Sequence, residues 1–351
     1  MSARPAGPPI ALTLLTGFLG AGKTTLLNRL LRDPALGDTV VLVNEIGEIG
    51  LDHLFVGMLG ETAVTLASGC VCCSMRGELE TSLEQLLRDR DNGRMPPFRR
   101  LVLETTGLAD PVPLLQGVMA HPYLVLRYAI DGVLTVVDAV NGADTLDRFE
   151  EARRQVALAD RIVLSKADLA FPADTDALRR RLASMNPVAP ILPADAPADI
   201  LLPPAADAVQ RLAAQLAGFP EAPHDDRLRT ISVASEAALS PHAFDLFVEL
   251  LRGAHGPKLL RVKGLVRLTD DPSRPVLIHG AQHVFHPPLR LPAWPDADER
   301  SRMVIVGDGL PEGLVEKLYL AFAGASAPDT PDAAALTDNP LAPKPGGLLG
   351  G

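Results

Sequence analysis

Cysteine is almost missing from this chain, with three residues in 351. That number excludes a disulfide framework. Aromatic residues make up 4%, so the core must be built from leucine, valine and alanine. No run of 18 apolar residues occurs, which excludes a membrane-spanning helix. Basic residues are also short: 33 Lys and Arg against 43 Asp and Glu give a net charge of −10. A nucleic-acid binder of this size would show a basic face. Neither nucleic acid nor membrane is therefore expected as a partner. Proline and glycine, by contrast, are plentiful at 32 and 29. Arg4 and the apolar run after it mimic a secretory leader, but that run feeds the glycine loop described next. A cytoplasmic protein is expected.

What is present is a phosphate-binding loop. Residues 17–24 read Gly17-Phe-Leu-Gly20-Ala21-Gly22-Lys23-Thr24, the pattern G-x-x-x-x-G-K-[ST], with Thr25 following. Ile10–Thr16 before it is an apolar run of strand length. Thr24–Leu31 after it opens a helix with leucines at 26, 27, 30 and 31. Strand, loop and helix in that order aim backbone N–H groups and a helix N-terminus at phosphate oxygens. Lys23 would reach the β- and γ-phosphates, and the Thr24 hydroxyl would ligate Mg²⁺.

The three cysteines lie within four positions, Cys70, Cys72 and Cys73. Adjacent cysteines bridge only with strain, and no partner exists elsewhere in the chain. Thiolates placed together fit a soft or borderline metal, and zinc prefers four ligands in a tetrahedron. Three sulfurs leave one position for a carboxylate, a histidine or an incoming protein, which favours an exchangeable site over a closed one. Packing as small buried hydrophobes and a redox role are the competing readings.

Runs of strand length at 39–43, 63–66, 100–104, 132–138 and 161–165 alternate with helical patterns at 24–32, 78–90, 112–120 and 149–159. Further helices are expected near 176–185 and 204–217. The alternation implies parallel pairing and a doubly wound α/β sheet. After a linker-like stretch at 217–226 comes a smaller α+β unit. It has a strand at 228–233, a helix at 241–252, long strands at 258–268 and 275–285, a strand at 303–306 and a helix at 311–323. The expected organisation is a flexible arm 1–9, a P-loop domain 10–222, a C-terminal α+β domain 227–324 and a disordered tail 325–351.

Three further motifs carry chemistry. Glu104 ends an apolar strand and Gly107 follows three residues later. A carboxylate there suits Mg²⁺ or water positioning, and Gly107 would let its N–H approach a γ-phosphate. Ser165-Lys166-Ala167-Asp168 has the shape of the guanine-reading N-K-x-D element, in which an aspartate accepts hydrogen bonds that adenine cannot donate. Ser165 stands in the asparagine slot, which leaves the base preference slightly open. Asn44-Glu45-Ile-Gly-Glu48 sits where a γ-phosphate-sensing switch belongs, and Glu45 could ligate metal, orient water or bridge the two sites. His279, His283 and His286 gather late in the chain; on one strand 279 and 283 would share a face and 286 would point away. They offer a second metal or hand-off site, against the alternative of structural histidines.

The ordered set GFLGAGKTT, NEIGE, GCVCC, ETTGLADP and SKAD resembles the CobW family of P-loop GTPases, relatives of UreG and HypB, over about residues 10–324. The resemblance implies a P-loop NTPase fold followed by a CobW-type C-terminal domain. It also implies a metallochaperone that hydrolyses GTP. Lys23 and Gly107 would stabilise the γ-phosphate, and Thr24 and Glu104 would hold Mg²⁺. Cys70, Cys72 and Cys73, with Glu45 as fourth partner, would hold Zn²⁺, with Co²⁺ or Fe²⁺ as alternatives. GTP would order the switch and assemble the metal site; hydrolysis would release the metal to a client apo-metalloenzyme. The reading also allows a homodimer. No long histidine-rich stretch is present, which argues against bulk storage. A metal sensor or buffer with incidental hydrolysis, and a P-loop kinase of small molecules, are the competing functions.

Overall fold

Eight uncharged residues, Ile10–Gly17, form strand β1, and every one of them is buried. A strand buried on both faces is what the centre of a parallel sheet requires. The computed structural model describes residues 9–43, 54–56, 64–66, 75–203, 216, 228–311 and 313–324. In chain order β1 is followed by α1 (Lys23–Leu30), β2 (Thr39–Val43), β3 (Leu54–Val56), β4 (Val64–Leu66), α2 (Met75–Asp91), β5 (Arg100–Glu104), α3 (Pro111–Ala120), α4 (Leu124–Arg127), β6 (Tyr128–Asp138), α5 (Gly142–Arg148), α6 (Glu150–Leu158), β7 (Arg161–Ser165), α7 (Pro172–Met185), β8 (Ile191–Pro193) and α8 (Ala198–Leu201).

Six of these strands make one parallel sheet in the order β2-β5-β1-β6-β7-β8. The chain moves outward from β1 in both directions, so a crevice opens above its C-terminal end. The loops after β1, β5, β6 and β7 all lie on that rim. The run expected as a sheet strand at 63–66 does not join this sheet. It is β4, paired antiparallel with β3 in a separate two-stranded ribbon. The expected helix at 204–217, the linker at 217–226, the segment around Glu45, the cysteine cluster and the tail fall outside the described residues, apart from Leu216.

The second unit is antiparallel. It contains β9 (Leu228–Ser235), α9 (Pro241–His255), β10 (Leu259–Val266), β11 (Val276–Ala281), β12 (Val284–Phe285), β13 (Leu289–Arg290), β14 (Ser301–Asp308) and α10 (Leu314–Phe322). Its strand order is β12-β11-β10-β14-β9, with β13 beside β11. Ser240 caps α9 through the Ala243 N–H, with Pro241 in the first turn. The two helices pack Phe247 against Tyr319 edge to face at 5.7 Å.

The long strand expected at 275–285 is instead a tight hairpin. Gln282 takes the left-handed backbone conformation, φ 51°, and Ala281 pairs with Val284. Folding back changes the histidines. His279 and His286 come together as a stacked pair, ring centroids 3.8 Å apart, while His283 sits at the exposed tip against Gly256. The expectation that 279 and 283 share a face is therefore wrong. Among the described residues, no group of three or more His, Cys, Asp or Glu side chains could hold a metal ion.

The two units meet along α3, α6 and the start of β7. Val112, Ala157 and Leu158 share an apolar cluster with Leu260 and Val306. Asp160, 6% exposed, accepts from Arg261 at 2.6 Å, from the Val133 N–H at 2.7 Å, and from Lys263. Burial works to raise the Asp160 carboxyl, but the Arg261 and Lys263 cations overcome it and hold it below the usual carboxylate range. The Lys263 ammonium is pushed down to about 8 by burial and by Arg261.

Candidate nucleotide site

The glycine loop between β1 and α1 turns on backbone that only glycine adopts readily. Gly22, φ 96°, is the residue from which α1 starts. Lys23 folds back over its own loop and donates to the carbonyls of Gly17 at 2.8 Å and Phe18 at 3.3 Å. Gly20 and Ala21 complete the turn, and Thr25 follows in the first turn of α1.

The loop after β5 closes against this one. The Thr24 hydroxyl donates to Glu104 Oε1 at 2.9 Å, and Glu104 is 4% exposed. Thr105 and Thr16, at the ends of adjacent strands, share a hydroxyl hydrogen bond of 2.9 Å. Gly107 touches the P-loop so closely that an added Cβ would lie 2.5 Å from the Leu19 nitrogen. A side chain there would push the two loops apart. The Thr24 and Glu104 oxygens form a hard donor pair of the kind Mg²⁺ takes, so the residues present fit that ion.

On the other flank Ser165 ends β7. Its buried hydroxyl donates to the Ala21 carbonyl at 2.6 Å and also lies 3.2 Å from the Val137 carbonyl. Ser165 thus ties the P-loop to β7. Lys166 takes left-handed backbone, φ 54°, costly for a non-glycine residue. Its ammonium donates to the Gly20 carbonyl at 2.7 Å and to Asp138 at 2.8 Å. Asp168 lies exposed on the turn that follows. Burial works against the charge of Asp138, yet Lys166, Asn141 and the N–H groups of Val140 and Asn141 hold its carboxyl low.

A cavity of about 220 Å³ adjoins the loop, lined among others by Phe18, Leu19, Asp138, Asn141, Gln155 and Lys166. The structure thus brings together Gly17, Gly20, Ala21, Gly22, Lys23, Thr24, Thr25, Glu104, Gly107, Ser165, Lys166 and Asp168 on one rim. Glu45, Cys70, Cys72 and Cys73 lie outside the described residues. Sequence reasoning passed over Asp138 and Gln155. Asp138 carried a usable signal, since it is a carboxylate ending an apolar strand just as Glu104 is.

Residues 11–193 match the family described as CobW/HypB/UreG, nucleotide-binding domain. Residues 228–322 match the cobalamin synthesis protein cobW C-terminal domain. The chain belongs to the CobW family. Among its relatives, the zinc chaperone YjiA of Escherichia coli K12 is 37% identical over 321 residues, covering 90% of this chain and 98% of YjiA. The zinc-regulated GTPase metalloprotein activator 1 of Schizosaccharomyces pombe is 35% identical over 191 residues, 52% of this chain and 45% of that protein. The zinc chaperone CobW of Pseudomonas aeruginosa is 33% identical over 202 residues, 49% of this chain and 52% of that one. The crystal structure of Zn(II)-bound YjiA GTPase from E. coli superposes with a TM-score of 0.67 at 32% identity, covering 90% of this chain and 99% of that one. Among the described residues of this CobW-family chain, no helix is long and apolar enough to cross a membrane.

Proposed function

We propose that this CobW-family GTPase couples GTP hydrolysis to delivery of a transition metal, zinc foremost, to a client apo-metalloenzyme. The domains doing so are a P-loop unit at 10–222 and a C-terminal unit at 227–324. The observation that carries the nucleotide half is the 2.9 Å hydrogen bond from Thr24 to Glu104, with Gly107 against Leu19 beside it. It gathers a hydroxyl, a carboxylate and a closely approaching backbone where a β,γ-phosphate pair would sit. Bound Mg²⁺ would neutralise charge building on those phosphates. Lys23 would exchange the loop carbonyls for phosphate oxygens, and Gly107 would present its N–H to the γ-phosphate.

Guanine selection rests with Asp168, since the Ser165 hydroxyl is already used on the P-loop. The metal half rests on Cys70, Cys72 and Cys73, with Glu45 as fourth ligand, in the stretch of sequence between β2 and α2. The zinc chaperone and zinc-regulated GTPase names of the relatives support this reading. GTP can favour metal loading only through a difference in affinity between two states, and that coupling is reciprocal. The test is turnover of GTP and ATP with and without stoichiometric Zn²⁺. GTP cleavage to free phosphate, responsive to Zn²⁺, is expected. Transfer of phosphate to a metabolite would assign the chain to the small-molecule kinases instead.

A further inference from the structure

One helix touches both the loop that follows Glu104 and the C-terminal unit. On its inner face, Gln155 of α6 is 1% exposed. Its side-chain amide donates to the carbonyl of Gly107 at 3.1 Å and to that of Ala109 at 3.1 Å. Both partners are acceptors, so the amide must present its nitrogen to them. The neighbouring Arg154 donates to Asp110 at 3.2 Å and to Asp308 at 2.9 Å. Asp110 is the N-cap of α3, accepting from the Val112 N–H at 2.9 Å, and Asp308 ends β14 in the C-terminal unit. One turn further on, Ala157 and Leu158 enter the apolar seam with Leu260 and Val306.

We propose that Gln155 is a positioning residue for the Gly107 loop, and that α6, through Gln155 and Arg154, is the element by which that loop and the C-terminal unit sense each other. The two N–H groups of one amide, on the carbonyls of Gly107 and Ala109, fix the course of residues 107–109, and so the place at which the loop presents the Gly107 N–H. A γ-phosphate that engages that N–H must work with or against this clamp. Any shift of residues 107–110 then pulls on Arg154, whose guanidinium also grips Asp308. The leverage is short, since neighbouring residues of one helical turn serve the two partners. The inference rests on the reading of Gly107 as a γ-phosphate contact.

The experiment compares full-length wild type with Gln155→Met, which keeps the chain length and removes both donors. Affinities for GDP and for a non-hydrolysable GTP analogue are measured with Mg²⁺, alongside kcat and KM for GTP. GDP affinity is expected to stay within about twofold, while GTP-analogue affinity and kcat each fall about tenfold. Equal losses for both nucleotides would mean a merely structural glutamine and overturn the proposal, as would no loss at all. Arg154→Leu provides a second reading independent of Gln155. In wild type, hydrogen exchange of the β14 amides is expected to differ between GTP-analogue and GDP states, and in Arg154→Leu that difference is expected to vanish. Persistence of the difference in the variant overturns the coupling. If wild type itself neither hydrolyses GTP nor distinguishes the two nucleotides, the γ-phosphate reading of Gly107 falls first and takes the inference with it.

Discussion

Replacing Asp160 by asparagine should cost far more than replacing Lys263, its partner, by methionine. Arg261 and Lys263 both contact the Asp160 carboxylate across the seam. Asparagine keeps one oxygen for the Val133 N–H, so the backbone contact survives, while the charge and one acceptor oxygen are lost. Two cations are then left facing each other in a buried place, a situation worth about 3–5 kcal/mol. Lys263→Met leaves Arg261 to neutralise Asp160. Burial has already pushed the Lys263 ammonium down to about 8, so its charge is held there at a cost. That variant should lose no more than about 1.5 kcal/mol. The double variant should recover about 1–2 kcal/mol relative to Asp160→Asn, because one of the stranded cations is gone. Guanidinium unfolding followed by circular dichroism gives all four free energies of the cycle. Equal costs for the two single variants, or a loss under about 1 kcal/mol for Asp160→Asn, would refute the reasoning.

The remaining predictions concern pH and the nucleotide. Burial and the Arg261 cation push the His286 imidazole down to about 4; burial, His286, Arg261 and Lys263 push His279 well below its usual range. An unfolded imidazole titrates near 6.5, so between those values the unfolded chain takes up protons that the fold refuses. Stability should be full above about pH 6.5 and should fall towards pH 5 by at most about 2 kcal/mol from His286 alone. His286→Phe, which keeps a ring against His279, should flatten that slope in unfolding curves recorded at pH 7 and pH 5. Asp168→Asn exchanges an acceptor for a donor; GTP affinity should drop about 100-fold while xanthosine triphosphate gains. An unchanged GTP affinity would place base recognition elsewhere. Lys23→Met should weaken GTP-analogue binding by about 1.5–3 kcal/mol, because a charge-assisted contact to phosphate is lost.

The parallel half of the fold was legible because its signals are local. An uncharged run before G-x-x-x-x-G-K-T reads as a buried strand feeding a loop, and Glu104 and Ser165 end short apolar runs that each open on an arginine. The two errors have one source. At 63–66 and at 275–285 β-rich composition named strands without showing where they would pair. Composition does not say which neighbour a short run will pair with, and a two-residue turn at Gln282 and His283 carries none of the usual glycine or asparagine signal. The stacking of His279 on His286 follows from that turn alone. Within the site, the pattern named the residues of the loops but not the struts behind them. Gln155 looks like any polar residue on an amphipathic helix until the fold turns it inward under Gly107. The tethering role of Ser165 was equally hidden, since it depends on Ala21, far away in sequence.

The measurement closest to the heart of this account is a competition titration of Zn²⁺ against the protein held with a non-hydrolysable GTP analogue and, separately, with GDP. Apparent zinc affinity should differ between the two states by at least about tenfold, and Cys72→Ser should abolish the tight component. Identical zinc affinities in the two states would mean that nucleotide and metal do not communicate, and that the chain does not use GTP to deliver metal.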